Sequence, residues 1–187
     1  MKRIKWNSPV ILGFVVICGI VLALDYVTAG STTTKFFSVY KGSLSDPLFY
    51  VRLVGHVFGH ADIGHYLNNM MMILLIGSLL EEKYGGDRLM IIMAAVAVIT
   101  GIVHIFISGN TALLGASGIV FAFILLASTT GSRKGNEIPI TLILVALLYI
   151  GEQVYQGMFV KDSVSQITHI IGGLIGAGFG MMVNTKR

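Results

Sequence analysis

Residues 108–134 read SGNTALLGASGIVFAFILLASTTGSRK, and the length of the apolar run inside them decides the fold. The run opens at Ser117 and is closed by Arg133 and Lys134. From Ser117 to Thr130 it holds 14 residues, about 21 Å of helix at 1.5 Å each. A bilayer core is about 30 Å thick. With the basic pair pinned at one face, a helix that begins at Ser117 starts roughly 10 Å below the other. The segment from Ser108 to Ala116 carries no charge and contains Gly109, Asn110 and Gly115. It must dip inward to reach that depth. Irregular backbone is tolerated there only where protein buries it or where it lines a wet cavity.

The rest of the chain supplies that protein. Six apolar spans are expected, at 9–28, 62–81, 88–107, 117–131, 139–156 and 165–183. Of the 187 residues, 55% are hydrophobic and 12% charged, with a mean hydropathy of +0.82. Soluble domains carry about 25% charged residues. The bilayer is the natural solvent for such a chain. The runs are too long, too few and too little alternating for a membrane β-barrel. The expectation is an all-α polytopic membrane protein, a compact six-transmembrane-helix bundle forming one domain over residues 1–187.

Charge sets orientation. With the N-terminus in the cytoplasm, inside segments hold Lys2, Arg3, Lys5, Lys83, Arg88, Arg133, Lys134, Lys186 and Arg187. Outside segments hold only Lys35, Lys41, Arg52 and Lys161. The bias puts both termini in the cytoplasm of a multi-pass cell-membrane protein. The net charge of +4 is spread over span ends rather than gathered in a block, which argues against nucleic acid. Cys18 is the only cysteine, so neither an intrachain disulfide nor a cysteine zinc site can form. The first span, with Lys2, Arg3 and Lys5 before it and Val27-Thr28-Ala29 after it, also fits the pattern of a cleavable leader. Segment 29–61, with Pro47, aromatics and few charges, reads as a partly membrane-embedded surface loop.

Polar side chains inside a bilayer need a reason. Four stand out: His65 and Asn69 in the second span, Ser117 opening the fourth, and His169 in the sixth. If Asp62 caps the second span, His65 and Asn69 lie about 5 and 10 Å in. If Ser163 caps the sixth, His169 lies about 9 Å in. All four therefore share one layer near the outer face. His169, Gly172, Gly176 and Gly180 share a helical face, and Gly118 and Ala122 give the fourth span a matching small pair. Where these faces meet, His169 approaches Ser117.

The chemistry follows from the residue types. Gly115-Ala116-Ser117-Gly118 sets a serine at a helix N-terminus, where free N–H groups can hold an oxyanion. A serine hydroxyl needs a base, and His169 is the candidate. Glu81, Glu82 and Asp87 lie at the cytoplasmic end, and neither Glu152 nor Asp162 is placed on the right face, so a Ser–His dyad is the simpler arrangement. His65 and Asn69, four apart on one helical face, would complete an oxyanion hole with the Ser117 backbone N–H. His56 and His60 share an i,i+4 spacing, but no carboxylate matches them and no H-E-x-x-H occurs, which speaks against a metal. His104 reads as structural or interfacial.

The chain resembles the rhomboid family of intramembrane proteases. The resemblance rests on His65-Tyr66-Leu67-Asn68-Asn69, then Gly115-Ala116-Ser117-Gly118, then His169-Ile170-Ile171-Gly172-Gly173-Leu174-Ile175-Gly176, in order and each on its expected span. Arg52, His56, His60 and Glu81 also stand at family-like spacings, and the resemblance covers about residues 47–180. It implies a six-helix fold, a Ser117–His169 dyad with His65 and Asn69 at the oxyanion, and cleavage of transmembrane protein substrates near the outer face without metal or cofactor. Two positions depart from the pattern. Phe121 stands where relatives often carry Tyr packed on the catalytic His, and Val51 replaces a Trp that often precedes Arg52. Neither removes a catalytic group. The alternatives are a catalytically silent rhomboid-like protein that binds membrane clients, and a transporter, which the lack of an internal repeat disfavours.

Overall fold

A computed structural model describes residues 7–107, 111–129, 140–141, 143–145, 147–148, 151 and 164–185. The described residues are helical, with no strand beyond one isolated antiparallel bridge between Val39 and Leu113. The first helix, α1 (Pro9–Val27), opens on proline, whose missing N–H costs nothing at that position. Its next free amides are met from 70 residues away: Val10 N donates to Glu81 Oε1 at 3.1 Å and Ile11 N to Glu81 Oε2 at 2.9 Å. A carboxylate there satisfies orphan donors and complements the helix dipole.

Two short helices follow, α2 (Ser31–Phe36) and α3 (Pro47–Gly55), the latter running into a tight turn at His56–Phe58. Asp46 caps α3, its Oδ1 accepting from Leu48 N at 3.0 Å. Its other oxygen accepts from Arg52 Nη2 at 2.8 Å, and the Arg52 guanidinium lies 4.5 Å from the Tyr40 ring centroid. These contacts give segment 29–61 a defined shape.

The next helical rod is α4 (Ile63–Met72), a wide turn at Ile73–Gly77, then α5 (Ser78–Tyr84). At the wide turn Ile11 of α1 and Phe123 press inward. A Cβ on Gly77 would lie 2.7 Å from Ile11 Cδ1 and 2.9 Å from Phe123 Cε2. Then come α6 (Gly86–Ile107), α7 (Ser117–Thr129) and α8 (Val164–Thr185). Among the described residues three helices are long and apolar enough to cross a membrane: Pro9–Val27, Ile63–Tyr84 and Gly86–Ile107. The expected span at 139–156 lies largely outside the described residues.

The 13 residues of α7 span about 20 Å. Ile119, Val120, Ala122, Phe123, Leu125 and Leu126 are all buried, so α7 is enclosed nearly all round. Its closest neighbour is α8. A Cβ on Gly172 would collide with the Gly118 carbonyl, one on Gly176 with the Ala122 carbonyl, and one on Gly180 with Thr129 Oγ1. Small residues let two backbones come this close, which is how helices associate where no hydrophobic force separates protein from solvent. Outward faces carry Val27, Met71, Leu75, Leu79, Ile91 and Phe106, all more than half exposed, as a membrane protein requires.

Candidate active site

The loop before α7 is fixed by the first half of the chain. Leu113 exchanges both backbone hydrogen bonds with Val39, each 2.9 Å, and Gly115 N donates to the His56 carbonyl at 2.9 Å. Gly115 then adopts φ +117°, a conformation open to glycine and strained for other residues. The turn delivers Ser117 as the first residue of α7, where its own N–H has no intrahelical acceptor.

Ser117 Oγ lies 2.7 Å from His169 Nε2. The two are 52 positions apart, and the α7–α8 glycine contacts bring them together. Phe121, one turn below Ser117, packs on the imidazole, ring centroids 4.7 Å apart and planes tilted by 43°. The phenyl ring thus packs where the resemblance leads one to expect Tyr.

His65 and Asn69 face the same point from α4. Asp62 caps the helix, Oδ1 accepting from His65 N at 2.8 Å. His65 Nδ1 faces Ala61 N–H at 3.5 Å, so it is the acceptor nitrogen and Nε2 carries the proton. A Cβ on Gly115 would lie 2.8 Å from that Nε2 and 3.8 Å from Asn69 Nδ2. Asn69 is 7% exposed, and its Nδ2 has no acceptor among the described residues. Two N–H donors thus converge beside Gly115, the second with no acceptor among the described residues.

His65, Asn69, Ser117 and His169 line one cavity of about 480 Å³. Among the described residues its remaining wall is Ala61, His104 and residues 111–114. A proton donor for an oxyanion, a nucleophile and a base in one cavity suit acyl transfer. Among the described residues no three His, Cys, Asp or Glu side chains converge as a metal site.

From the sequence, His104 reads as structural or interfacial and is not placed at the site. It is buried, borders the cavity, and donates from Nε2 to the Thr111 carbonyl at 3.0 Å, pinning the loop ahead of Ser117. It lies 13 residues before Ser117, on a helix without a polar stripe, so no periodicity marks it. All five histidines of the chain gather here: His65, His104 and His169 line the cavity, His56 holds Gly115 through its carbonyl, and His60 stands against His65.

A family model described as the Rhomboid domain matches residues 48–186. Rhomboid-related protein 1 of Caenorhabditis elegans is 29% identical over 140 residues, 71% of this chain and 39% of that protein. The rhomboid protease GlpG of Yersinia pestis (strain Pestoides F) is 26% identical over 174 residues, 90% of this chain and 60% of that protein. GlpG of Yersinia pseudotuberculosis serotype O:3 (strain YPIII) gives the same figures. The chain therefore spans between about two fifths and three fifths of the length of these curated relatives. α1 lies wholly outside the residues that the Rhomboid family model matches.

Proposed function

We propose that this chain, which belongs to the rhomboid family, is an intramembrane serine endopeptidase that cleaves transmembrane protein substrates near the outer membrane face. The observation that carries the reading is the 2.7 Å contact between Ser117 Oγ and His169 Nε2 inside a cavity that His65 and Asn69 also line.

In the proposed reaction Ser117 Oγ attacks the scissile carbonyl carbon as His169 Nε2 takes its proton. The carbonyl oxygen becomes an oxyanion, held by the Ser117 N–H, His65 Nε2–H and Asn69 Nδ2–H. As the C–N bond breaks, His169 returns the proton to the leaving amine. Water from the cavity then adds to the acyl-enzyme, giving a proton to His169, which passes it to Ser117 Oγ as the acyl C–O bond breaks and the carboxylic acid product leaves. No metal or cofactor enters the scheme.

The substrate side rests on backbone geometry. Leu113 spends its N–H and C=O on Val39, so the alternating pattern of an extended chain turns those of Ala112 and Leu114 the other way. An unwound substrate segment can lie along that edge as an added strand. Small residues near the cut suit a slim segment threaded among packed helices. Six spans with both termini in the cytoplasm complete the reading, the fifth at 139–156.

Purified protein in liposomes with a single-span reporter tests it. Wild type is expected to cut and to be labelled at Ser117 by a fluorophosphonate. Ser117→Ala and His169→Ala, at equal folded yield, are expected to do neither. Wild type that neither cuts nor labels would favour the silent client-binding relative, and variants that cut as well as wild type would remove the dyad.

A further inference from the structure

His60 is fully buried, in the short link between the His56–Phe58 turn and α4. Its Nδ1 faces the Phe58 carbonyl at 3.2 Å, so Nδ1 carries the proton and donates. Nε2 is then a bare lone pair, and it has no donor among the described residues. Buried polar atoms left unpaired are rare and call for an explanation. The ring stands edge-on to His65, centroids 5.1 Å apart, and edge-on to Tyr66, centroids 5.6 Å apart.

Two of these three neighbours of His60, Phe58 and Tyr66, are anchored on α1. Phe58 packs on Phe14 with ring centroids 5.1 Å apart. Tyr66 donates its hydroxyl to the Val15 carbonyl at 3.2 Å. His60 is thus braced on one side by the first helix and presses on the other against the ring whose Nε2–H points toward Gly115. Tied at Nδ1 and bare at Nε2, it cannot rotate to offer His65 an N–H. Burial pushes its imidazole down to about 4, with the neighbouring His65 adding to the effect. It stays neutral and leaves the donor proton on His65.

We propose that His60 is a positioning residue for His65, holding that imidazole at the angle from which it donates to the oxyanion; the proposal rests on the serine protease reading above. His60 itself touches neither Ser117 nor the substrate edge. It acts through His65 alone, and that makes it separable from a residue that merely supports the fold.

The test is a double-variant cycle on the full chain in liposomes, read by reporter cleavage and by the rate of Ser117 labelling with a fluorophosphonate. His60→Phe keeps a ring and loses the tie to Phe58. It is expected to lower kcat about tenfold or more with KM within about twofold, because small misplacements of a reacting constellation are costly. Placed on a His65→Ala background, the same change is expected to alter kcat by less than about twofold. His60→Asn, whose amide nitrogen sits where Nδ1 sat, is expected to recover part of the rate. An equal loss in both backgrounds overturns the proposal. Nitrogen NMR of the labelled imidazoles gives a readout independent of turnover. His60→Phe is expected to move the His65 resonances, and resonances that stay put overturn the proposal. A wild type that neither cuts nor labels counts against the protease reading, while a moved His65 signal still supports the positioning.

Discussion

Gly172 of α8 rests against the Gly118 carbonyl of α7, with no room between them for one methyl group. His169 sits one turn before Gly172 and Ser117 directly before Gly118, so this contact sets the distance from base to nucleophile. Gly172→Ala must push α8 outward or twist it. Overpacking of this kind costs about 1–3 kcal/mol of stability. The same displacement lengthens the 2.7 Å Ser117–His169 hydrogen bond, and a shift of about 1 Å is expected to lower kcat roughly a hundredfold. Fluorophosphonate labelling of Ser117 at matched folded yield checks the second effect, and a denaturant or thermal titration the first.

Gly115 is tested separately, because two causes converge on it. Its φ of +117° disfavours any side chain, and a Cβ there would stand 2.7 Å from His65 Cε1. Gly115→Ala is expected to displace His65 and strain the loop while leaving the α7–α8 contact intact. Loss of one oxyanion donor lowers kcat by about 10²–10³, and that is the expected range here. Reporter cleavage that retains more than about a tenth of the wild-type kcat would show that His65 does not serve the oxyanion.

Much of this site was legible because its parts are local. The four-residue step from His65 to Asn69, the serine opening a short helix, and the glycine spacing after His169 each follow from helical geometry. The rod Ile63–Tyr84 continues past the expected membrane boundary at 81 because Glu81 turns inward and Gly85, at φ +86°, provides the stop. What the sequence could not show were pairings between irregular segments. The Val39–Leu113 bridge, the Tyr40–Arg52–Asp46 cluster and the grip of Glu81 on α1 join positions with no shared period. His104 belongs with them, since its role is to hold a loop carbonyl.

The grip of Glu81 gives α1 a measurable attachment. Val10 N and Ile11 N both donate to its carboxylate. Glu81→Ala leaves two amides at a helix start without acceptors, and each such loss costs about 1–3 kcal/mol where buried. The variant is expected to unfold at lower temperature and to lose α1 first, seen as earlier protease cutting between α1 and α2. Glu81→Gln keeps one good acceptor and is expected to fall between the two.

The last prediction concerns acid. The Asp46 carboxyl is held below its ordinary value by the hydrogen bond from Arg52 and then by that from Leu48 N–H. A carboxyl depressed in the folded state adds stability that is fully present above its unfolded pKa, near 3.8, and is lost as pH falls through the folded value. Asp46 is solvent-accessible, so screening by salt limits the effect and high ionic strength should shrink it. Its partner Arg52 is buried, 3% exposed, and Tyr40 covers its guanidinium. Protonating Asp46 therefore strips a buried cation of its counter-charge and loosens the segment that holds Leu113 through Val39. Asp46→Asn, which can still cap α3, is expected to melt lower than wild type at pH 6 and to converge with it once the pH falls below the folded pKa. Thermal unfolding of the two proteins across that range, at low and high salt, reads it directly. Parallel curves with no convergence would mean that the Asp46 charge does not hold Arg52.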